Sequence, residues 1–454
     1  MSIFSKIKEL IGRVFGRNEI MQRYGTGTAL SGDMQTNIER WRSMYEGKAP
    51  WISEKKGVVS LRLEQGITRE FANTAISEMT VSVSDKKLSR TLERSLSSLN
   101  ENFQRGLATG AMIIKPLGVD GVQYLSQDEF IPVAYDAAQM LTSVIFPEVK
   151  KVGDREYLIR LEFHVLDDRG LTITNRAFRS SSPDSLGKEI ELSSVPEWAD
   201  IAEGVTYPGV TRPVYGYYVN PIDNTSDERR GGISVFEGAT ELIKRADKQF
   251  GRLDWEFESG ERAIHVDETA LRPVRDKNGI HFELPKLNER LYRGVNLSGG
   301  ANGEDFFKEF SPALRQSDFV AGLEEYKRGI EFVVGLAYGD LSNPQAVVKT
   351  ATEVLVSKER KFNAVDAIQK KLRVCLDGLV YALAFWNAKT TVTYNFVCDF
   401  EDSILVDDET RRNQDRQDVS MGAMPLWEYR MKWYHEDEAT AKRMVSDTAD
   451  VVEE

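Results

Sequence analysis

Cysteine is nearly missing from this chain of 454 residues: Cys375 and Cys398 are its only two, and they show no metal-ligand spacing. That excludes a disulfide scaffold and a cysteine zinc site, and it fits a reducing, intracellular compartment. Histidine is scarce too. His164, His265, His281 and His435 never pair at i, i+4, and no His-Glu-x-x-His helix occurs, so a metalloprotease-type zinc site is not expected. No apolar run reaches 18 residues, which argues against a membrane-spanning helix. Neither a Walker A sequence nor Gly-x-Ser-x-Gly is present. "GTGTAL" at 25–30 has two glycines of a dinucleotide fingerprint, but Leu30 stands where the third belongs. Internal repeats and low-complexity linkers are absent. Positive charge is short: 59 Lys and Arg face 71 Asp and Glu, a net −12. Duplex DNA is gripped by neutralising its phosphates with Lys and Arg. An acidic chain is therefore a poor candidate for tight, non-specific DNA binding, and handling DNA without holding it stays open.

What is present is an ordinary globular composition, 41% apolar and 29% charged, in a length that suits two or three domains or one composite fold. The first residues, "MSIFSKIKELIGRVFGRN", make an amphipathic helical pattern broken by charges, so they do not read as a secretory signal. A membrane-surface helix and a short docked helix both fit that pattern. Residues 35–80 read as helical, and "TVSVSD" then alternates like a strand. "KLSRTLERSLSSLNENFQRGLATG" reads as one amphipathic helix closed by Gly110. "AMIIKPLG" and "VQYLSQ" are strand-like, and "LTSVIFPEVK", "REYLIRLEFHVLD" and "LTITNRAFRS" form a meander with turns at Gly153-Asp154 and Asp168-Arg169-Gly170. Residues 181–230, rich in Ser, Pro, Gly and Asp, read as irregular. The fold class expected is α+β.

The segment from Gly232 to Gly260 is the most regular in the chain. Phe236, Ala239, Ile243, Ala246, Phe250, Leu253 and Phe257 step alternately by three and four, which predicts a helix of about 40 Å with one apolar seam. A polar insert of short strand patterns follows. A second helix is predicted over 317–338, with Phe319, Leu323, Tyr326, Ile330 and Val333 on its seam. If the two struts pair antiparallel, the insert lies at the far end of a stalk. "GDLSNPQAVVK" then reads as a loop, and "TATE" at 350–353 as a capping box opening a helix of some 55 Å to Trp386. Val354, Phe362, Val365, Leu372, Leu376, Leu379 and Leu383 share one side of it. "TVTYNFVCDF" reads as a strand, and the chain from Arg411 onward as two or three polar helices.

Candidate chemistry is thin. "CDFEDSILVDDE" at 398–409 gathers Asp399, Glu401, Asp402, Asp407, Asp408 and Glu409. Two-metal nucleases use carboxylate clusters, so a metal-dependent nuclease acting through Asp402 is the alternative reading. No basic or histidine partner accompanies the cluster, and it lacks calcium-loop spacing. "HEDE" at 435–438 reads as a solvated acidic turn. No catalytic residue, cofactor site or metal site is assigned.

The order of these parts resembles the portal proteins of tailed bacteriophages, above all those of siphophages of Gram-positive hosts. The resemblance covers nearly the whole chain. "NENFQRGLATGAMIIKP" (101–116) with "FIPVAYD" (130–136), "RRGGISVFEGATELIKRADKQFGRLDWEFESGERAIHVDE" (229–268), "VGLAYGDLSNPQAVVKTATEV" (334–354) and "EYRMKWYHEDEATAKRM" (428–444) carry it. It implies an α+β wing over 1–230, stem helices over 231–259 and 317–338, and a small clip over 260–316. It further implies a tunnel loop over 339–349, a long helix with a wing strand over 350–410, and a helical crown over 411–454. The seam residues Phe236, Ile243, Phe250, Leu253, Phe319, Leu323, Tyr326 and Ile330 would pack the stem. Asn343, Gln345 and Lys349 would face DNA from the tunnel loop. The resemblance implies a homo-oligomeric ring, commonly a dodecamer, at one capsid vertex of the virion, assembled in the host cytoplasm. Double-stranded DNA would pass through it, with the terminase large subunit, a head–tail adaptor, and the major capsid and scaffolding proteins as partners. No membrane, cofactor or enzyme activity is implied. A net −12 on each copy leads to the expectation of an acidic channel that lets DNA slide.

Overall fold

The computed structural model describes residues 20, 23–118, 121–182, 185–225, 231–261, 263–267, 272–276, 279–283, 292–295, 307–344, 351–387, 394–400 and 408–449. Helices α1 (Gly32–Tyr45) and α2 (Leu63–Ile76) lead to strand β1 (Met79–Val83). Helices α3 (Lys86–Leu96) and α4 (Leu99–Thr109) follow, then strands β2 (Ala111–Pro116), β3 (Val122–Ser126) and β4 (Ile131–Tyr135). Long strands β5 (Leu141–Gly153), β6 (Glu156–Asp167) and β7 (Gly170–Ser180) form the meander, joined by short β8 (Lys188–Ile190) and β9 (Gly204–Pro208) in one sheet. Strand β10 (Gly216–Val219) pairs with β2 in a second, three-stranded sheet completed by β3.

Three differences from the sequence pattern have local causes. The chain between Tyr45 and Leu63 is not α-helical: it carries turns, the single 3-10 turn Glu54–Lys56 and the short bridge Ser53–Val58. The amphipathic stretch 86–109 is two helices because the chain breaks at Ser97-Ser98, serines being weak helix formers that compete for the backbone. Residues 181–230 are not wholly irregular: β8, β9 and β10 recruit them as edge pairings of three to five residues among turn-rich sequence.

Strand β2 is buried on both faces, so its apolar run does not alternate. Ala111 and Ile113 pack with Val144 and Phe146 of the neighbouring sheet and with Tyr215, just before β10. Met112 and Ile114 face the helical core with Phe103, Tyr218 and Leu379. Helix α7 (Ala351–Trp386) lies across β2 and β10, and Gly216 lets it come so close that an added Cβ would stand 2.4 Å from the Cys375 carbonyl. Val365, Leu372, Leu376, Leu379 and Leu383 are buried as the pattern predicts, and so are Cys375 and Cys398, both free. Strand β16 (Phe396–Phe400) pairs antiparallel with β1.

Helices α5 (Thr240–Ser259) and α6 (Gln316–Val334) make an antiparallel hairpin. Gly238 lies beside Val333, Gly329 against Leu242, and Gly322 against Gln249, while Glu256 and Arg315 pair at 2.8 Å. At these glycines the facing side chains of Val333, Leu242 and Gln249 lie close, and the order of contacts fixes the antiparallel sense. The helix predicted from Gly232 begins at Thr240 instead. Residues 231–236 are tied to the body by other bonds: Gln127 bonds both polar backbone atoms of Gly232, and the Asn220 amide donates to Leu107 and Ile233 carbonyls. A single turn, Glu237–Ala239, then leads into α5. The second strut ends at Val334 rather than 338, because Gly335 adopts φ +89° and closes the helix.

Between the struts the insert comprises β11 (Ala263–Asp267), β12 (Arg272–Asp276), β13 (Gly279–Glu283), β14 (Tyr292–Val295) and β15 (Phe307–Phe310). Strand β11 pairs parallel with β14 and antiparallel with β15, and β12 with β13 form a hairpin. The chain closes on α8 (Asp408–Ser420), α9 (Leu426–Tyr434) and α10 (Glu438–Ala449).

Candidate functional site: the helical hairpin and the loop at its root

The hairpin is anchored at its base and bare at its outer end. Phe236, Ala239, Ile243 and Ala246 of the first seam are fully buried, with Ile330 opposite and Leu323 nearly so. Phe250 and Tyr326 are half-buried against the same core, and Leu253 and Phe319 are half-exposed. Phe236 is not on α5 but precedes the turn that starts it. Further out, Trp255 is 66% exposed and Leu314 45%. Glu237 pins the base to α1: its carboxylate accepts from the Arg40 guanidinium at 2.7 Å, from Trp41 Nε1, and from the Thr240 hydroxyl at 3.1 Å. The hairpin's exposed charges are mixed: Arg245, Lys248 and Arg252 stand beside Glu241, Asp254 and Glu258 on α5, and Asp318 and Glu325 are exposed on α6.

The loop begins where Gly335 ends α6. The Ala337 N–H donates to Asp340 Oδ2 at 2.9 Å. Glu331, on the last full turn of α6, takes N–H donors from Gly339, Leu341 and Ser342. Glu324 takes the Asn343 N–H at 2.6 Å. Burial pushes the Glu324 carboxyl up, but Lys327 and this N–H outweigh it and hold it below the usual range. From the other side, Ser357 Oγ accepts the Tyr338 N–H at 2.7 Å, and Arg360 donates to the Leu336 carbonyl at 3.0 Å. The Arg360 guanidinium lies over the Phe332 and Tyr338 rings. Lys361 pairs with Asp340 at 3.2 Å and with Glu70 of α2 at 2.5 Å. Burial lowers the Lys361 ammonium, but these two carboxylates outweigh it and raise it above its ordinary value.

Of the three loop residues predicted to face DNA, Asn343 is exposed at the end of this anchored turn. Gln345 and Lys349 lie outside the described residues. So do Glu401, Asp402 and Asp407 of the carboxylate cluster. Asp399 is exposed on β16, opposite Thr80 in the register. Among the described residues no group of three His, Cys, Asp or Glu is placed to hold a metal ion. No described helix is long and apolar enough to cross a membrane. The N-terminal amphipathic segment lies outside the described residues.

The seam pattern did not reveal Glu324 and Glu331. Each directly follows a seam residue, Leu323 or Ile330. A carboxylate set beside the apolar stripe twice, seven residues apart, was the available signal.

A second polar cluster sits inside the sheets. Lys115 Nζ lies 2.6 Å from Glu162, Arg160 bridges Glu162 and Glu148, and His164 Nε2 is 2.7 Å from Glu162 Oε1. Burial lowers both Lys115 and His164. Burial pushes Glu162 up, but Lys115 and His164 outweigh it and hold its carboxyl well below the usual range. Since a carboxylate only accepts, the proton of neutral His164 sits on Nε2. Two cations balance two anions here, which describes a buried ion network rather than a site with charge to spare.

No protein-family model matches the chain, and no curated protein is similar to it. Among solved structures, a chain in the neck of an empty gene transfer agent particle is similar at 12% identity and a TM-score of 0.43, over 86% of this chain and 90% of that one. A chain of the native gene transfer agent virion is similar at 13% identity and a TM-score of 0.39, over 91% of this chain and 95% of that one. Likenesses this loose leave the role of the chain to be argued from its own residues.

Proposed function

We propose that this chain is a portal subunit: one of a ring of identical copies, twelve by the resemblance, at a capsid vertex of a phage-like virion. The ring is a conduit for double-stranded DNA in packaging and ejection. The reading makes it a structural protein without enzymatic chemistry. The observation that supports it best is the hairpin. A buried root, a bare outer half and a strand insert at the far end make little sense in one copy. They make sense where neighbouring copies cover the exposed seam. In this reading the hairpin is the stem and the insert is the clip, which meets the terminase large subunit and later a head–tail adaptor. The α+β body is the wing, beside the major capsid and scaffolding proteins. The anchored turn ending at Asn343 begins the tunnel loop, whose amides touch phosphates weakly and in passing.

Native mass spectrometry with negative-stain imaging of the purified chain tests this. Twelve copies of a 51.4 kDa chain give a closed ring of about 620 kDa with a central hole. A monomer or dimer at every salt and protein concentration overturns the reading. Replacing Asn343 with a bulky residue should leave rings intact and reduce DNA filling.

A further inference from the structure

Helix α6 holds the loop that follows it. Glu331 is fully buried three residues before the helix ends. Its Oε1 accepts the N–H groups of Gly339 at 3.1 Å, Leu341 at 2.6 Å and Ser342 at 2.7 Å, and its Oε2 accepts the Ser342 hydroxyl at 2.9 Å. Glu324 takes the next N–H, that of Asn343. The two carboxylates are two turns apart and so lie on one line along the helix. A turn that closed on itself would direct such N–H groups to its own carbonyls. Here four of them, between Gly339 and Asn343, belong to α6. The contacts from α7 fall on other residues of the segment instead: Arg360 on Leu336, Ser357 on Tyr338, Lys361 on Asp340.

A buried carboxylate stripped of its donors is costly, and charged acceptors make the stronger hydrogen bonds. The turn therefore cannot shift relative to α6 without breaking four bonds to Glu331 at once. We propose that Glu331, assisted by Glu324, is a positioning residue that makes Gly339–Asn343 a rigid extension of the hairpin, so that a displacement of α6 reaches the loop undiminished. The coupling stands on these contacts alone. Its consequence, that movement at the insert end of the hairpin is passed to the DNA-facing loop, rests on the reading of the chain as a ring subunit.

Amide hydrogen exchange on the full chain tests the coupling. In E331A, the Gly339, Leu341 and Ser342 amides should exchange at least tenfold faster, while α5 and the middle of α7 keep wild-type protection. E331Q retains an acceptor in the same place and should restore most of the protection. E324A should release Asn343 and leave the other three slow, and it removes only a partly exposed side chain, so it reads out even where E331A does not fold. Unchanged loop exchange in E331A, or in E324A at Asn343, overturns the proposal. Equal loss of protection across a folded E331A chain also overturns it, since that is what a merely structural residue gives. Native mass spectrometry of the wild type separates the two claims. Rings with unchanged loop exchange refute the coupling and leave the ring standing. A persistent monomer with a released loop does the reverse.

Discussion

Glu64 stands in the first turn of α2, fully buried, and neither of its carboxylate oxygens has a hydrogen-bond partner among the described residues. Burial pushes its carboxyl up from 4.5 to about 7, with Asp247 of α5 adding repulsion and Arg62 opposing it. Asp247 itself is satisfied by Trp51 Nε1 and the Leu61 N–H. An acid whose folded value is raised favours the folded state when protonated. Its contribution is fully present below about pH 4.5, falls as pH rises through 7, and is flat above. The full span is about 3 kcal/mol at most. Denaturant unfolding at pH 5 and pH 8 should show wild type less stable at pH 8, and E64Q should lose much of that difference. An unchanged difference in E64Q would assign the slope elsewhere. Gly110 makes a second residue-scale prediction. It sits at φ +103°, and an added Cβ would stand 2.0 Å from the Gly232 carbonyl oxygen. G110A therefore has to move the backbone junction between α4 and the approach to the hairpin. It should cost more than about 4 kcal/mol or prevent the chain accumulating in soluble form.

Among elements, the hairpin was legible because its seam repeats over many turns, and α7 because its buried face runs from Val365 to Leu383. The start of α5 was not. Ile233, Val235 and Phe236 carry apolar character into the helix pattern, but they are buried because the backbone there is pinned by Gln127 and Asn220, contacts more than a hundred residues away or across a turn. Periodicity cannot distinguish a residue buried by a helix from one buried by such a crossing. The same limit hid Glu331, whose four donors come from a loop rather than from its own helix. Short edge strands such as β8 were invisible because three residues carry no period. The close packing of α5 on α6 adds a prediction at this scale. A Cβ at Gly322 would lie 3.3 Å from Nε2 of Gln249, the free end of a flexible side chain. G322A should therefore gain helix propensity and raise stability by up to about 1 kcal/mol. A loss of stability in thermal unfolding would mean that Gln249, which donates to the Phe319 carbonyl, cannot yield.

For the whole molecule, the decisive contrast lies between the two ends of one hairpin. At the root, Ile243 and Ile330 are wholly covered by the chain's own core. Toward the insert, Trp255, Phe257, Leu314 and Val320 are left in solvent. Scattered exposed apolar residues are normal on a globular surface. Phe332 and Val333 are exposed at the root as well, but Trp255, Phe257, Leu314 and Val320 gather on the outer half of one rigid element, a surface prepared for cover. If neighbouring copies supply that cover, the two ends answer to different equilibria. Ile243→Ala leaves a cavity inside each subunit and should cost about 2–5 kcal/mol of subunit stability, whether or not a ring forms. The double change Trp255→Ser with Phe257→Ser removes side chains that a single copy leaves 66% and 43% exposed. It should alter subunit unfolding by less than about 0.5 kcal/mol and yet shift the population from closed rings to smaller species. Thermal unfolding and native mass spectrometry on the same samples separate these outcomes. A double variant that still closes at wild-type concentration would show that copies meet elsewhere on the chain. One that unfolds as readily as the Ile243 variant would show that the outer half is already packed within a single subunit.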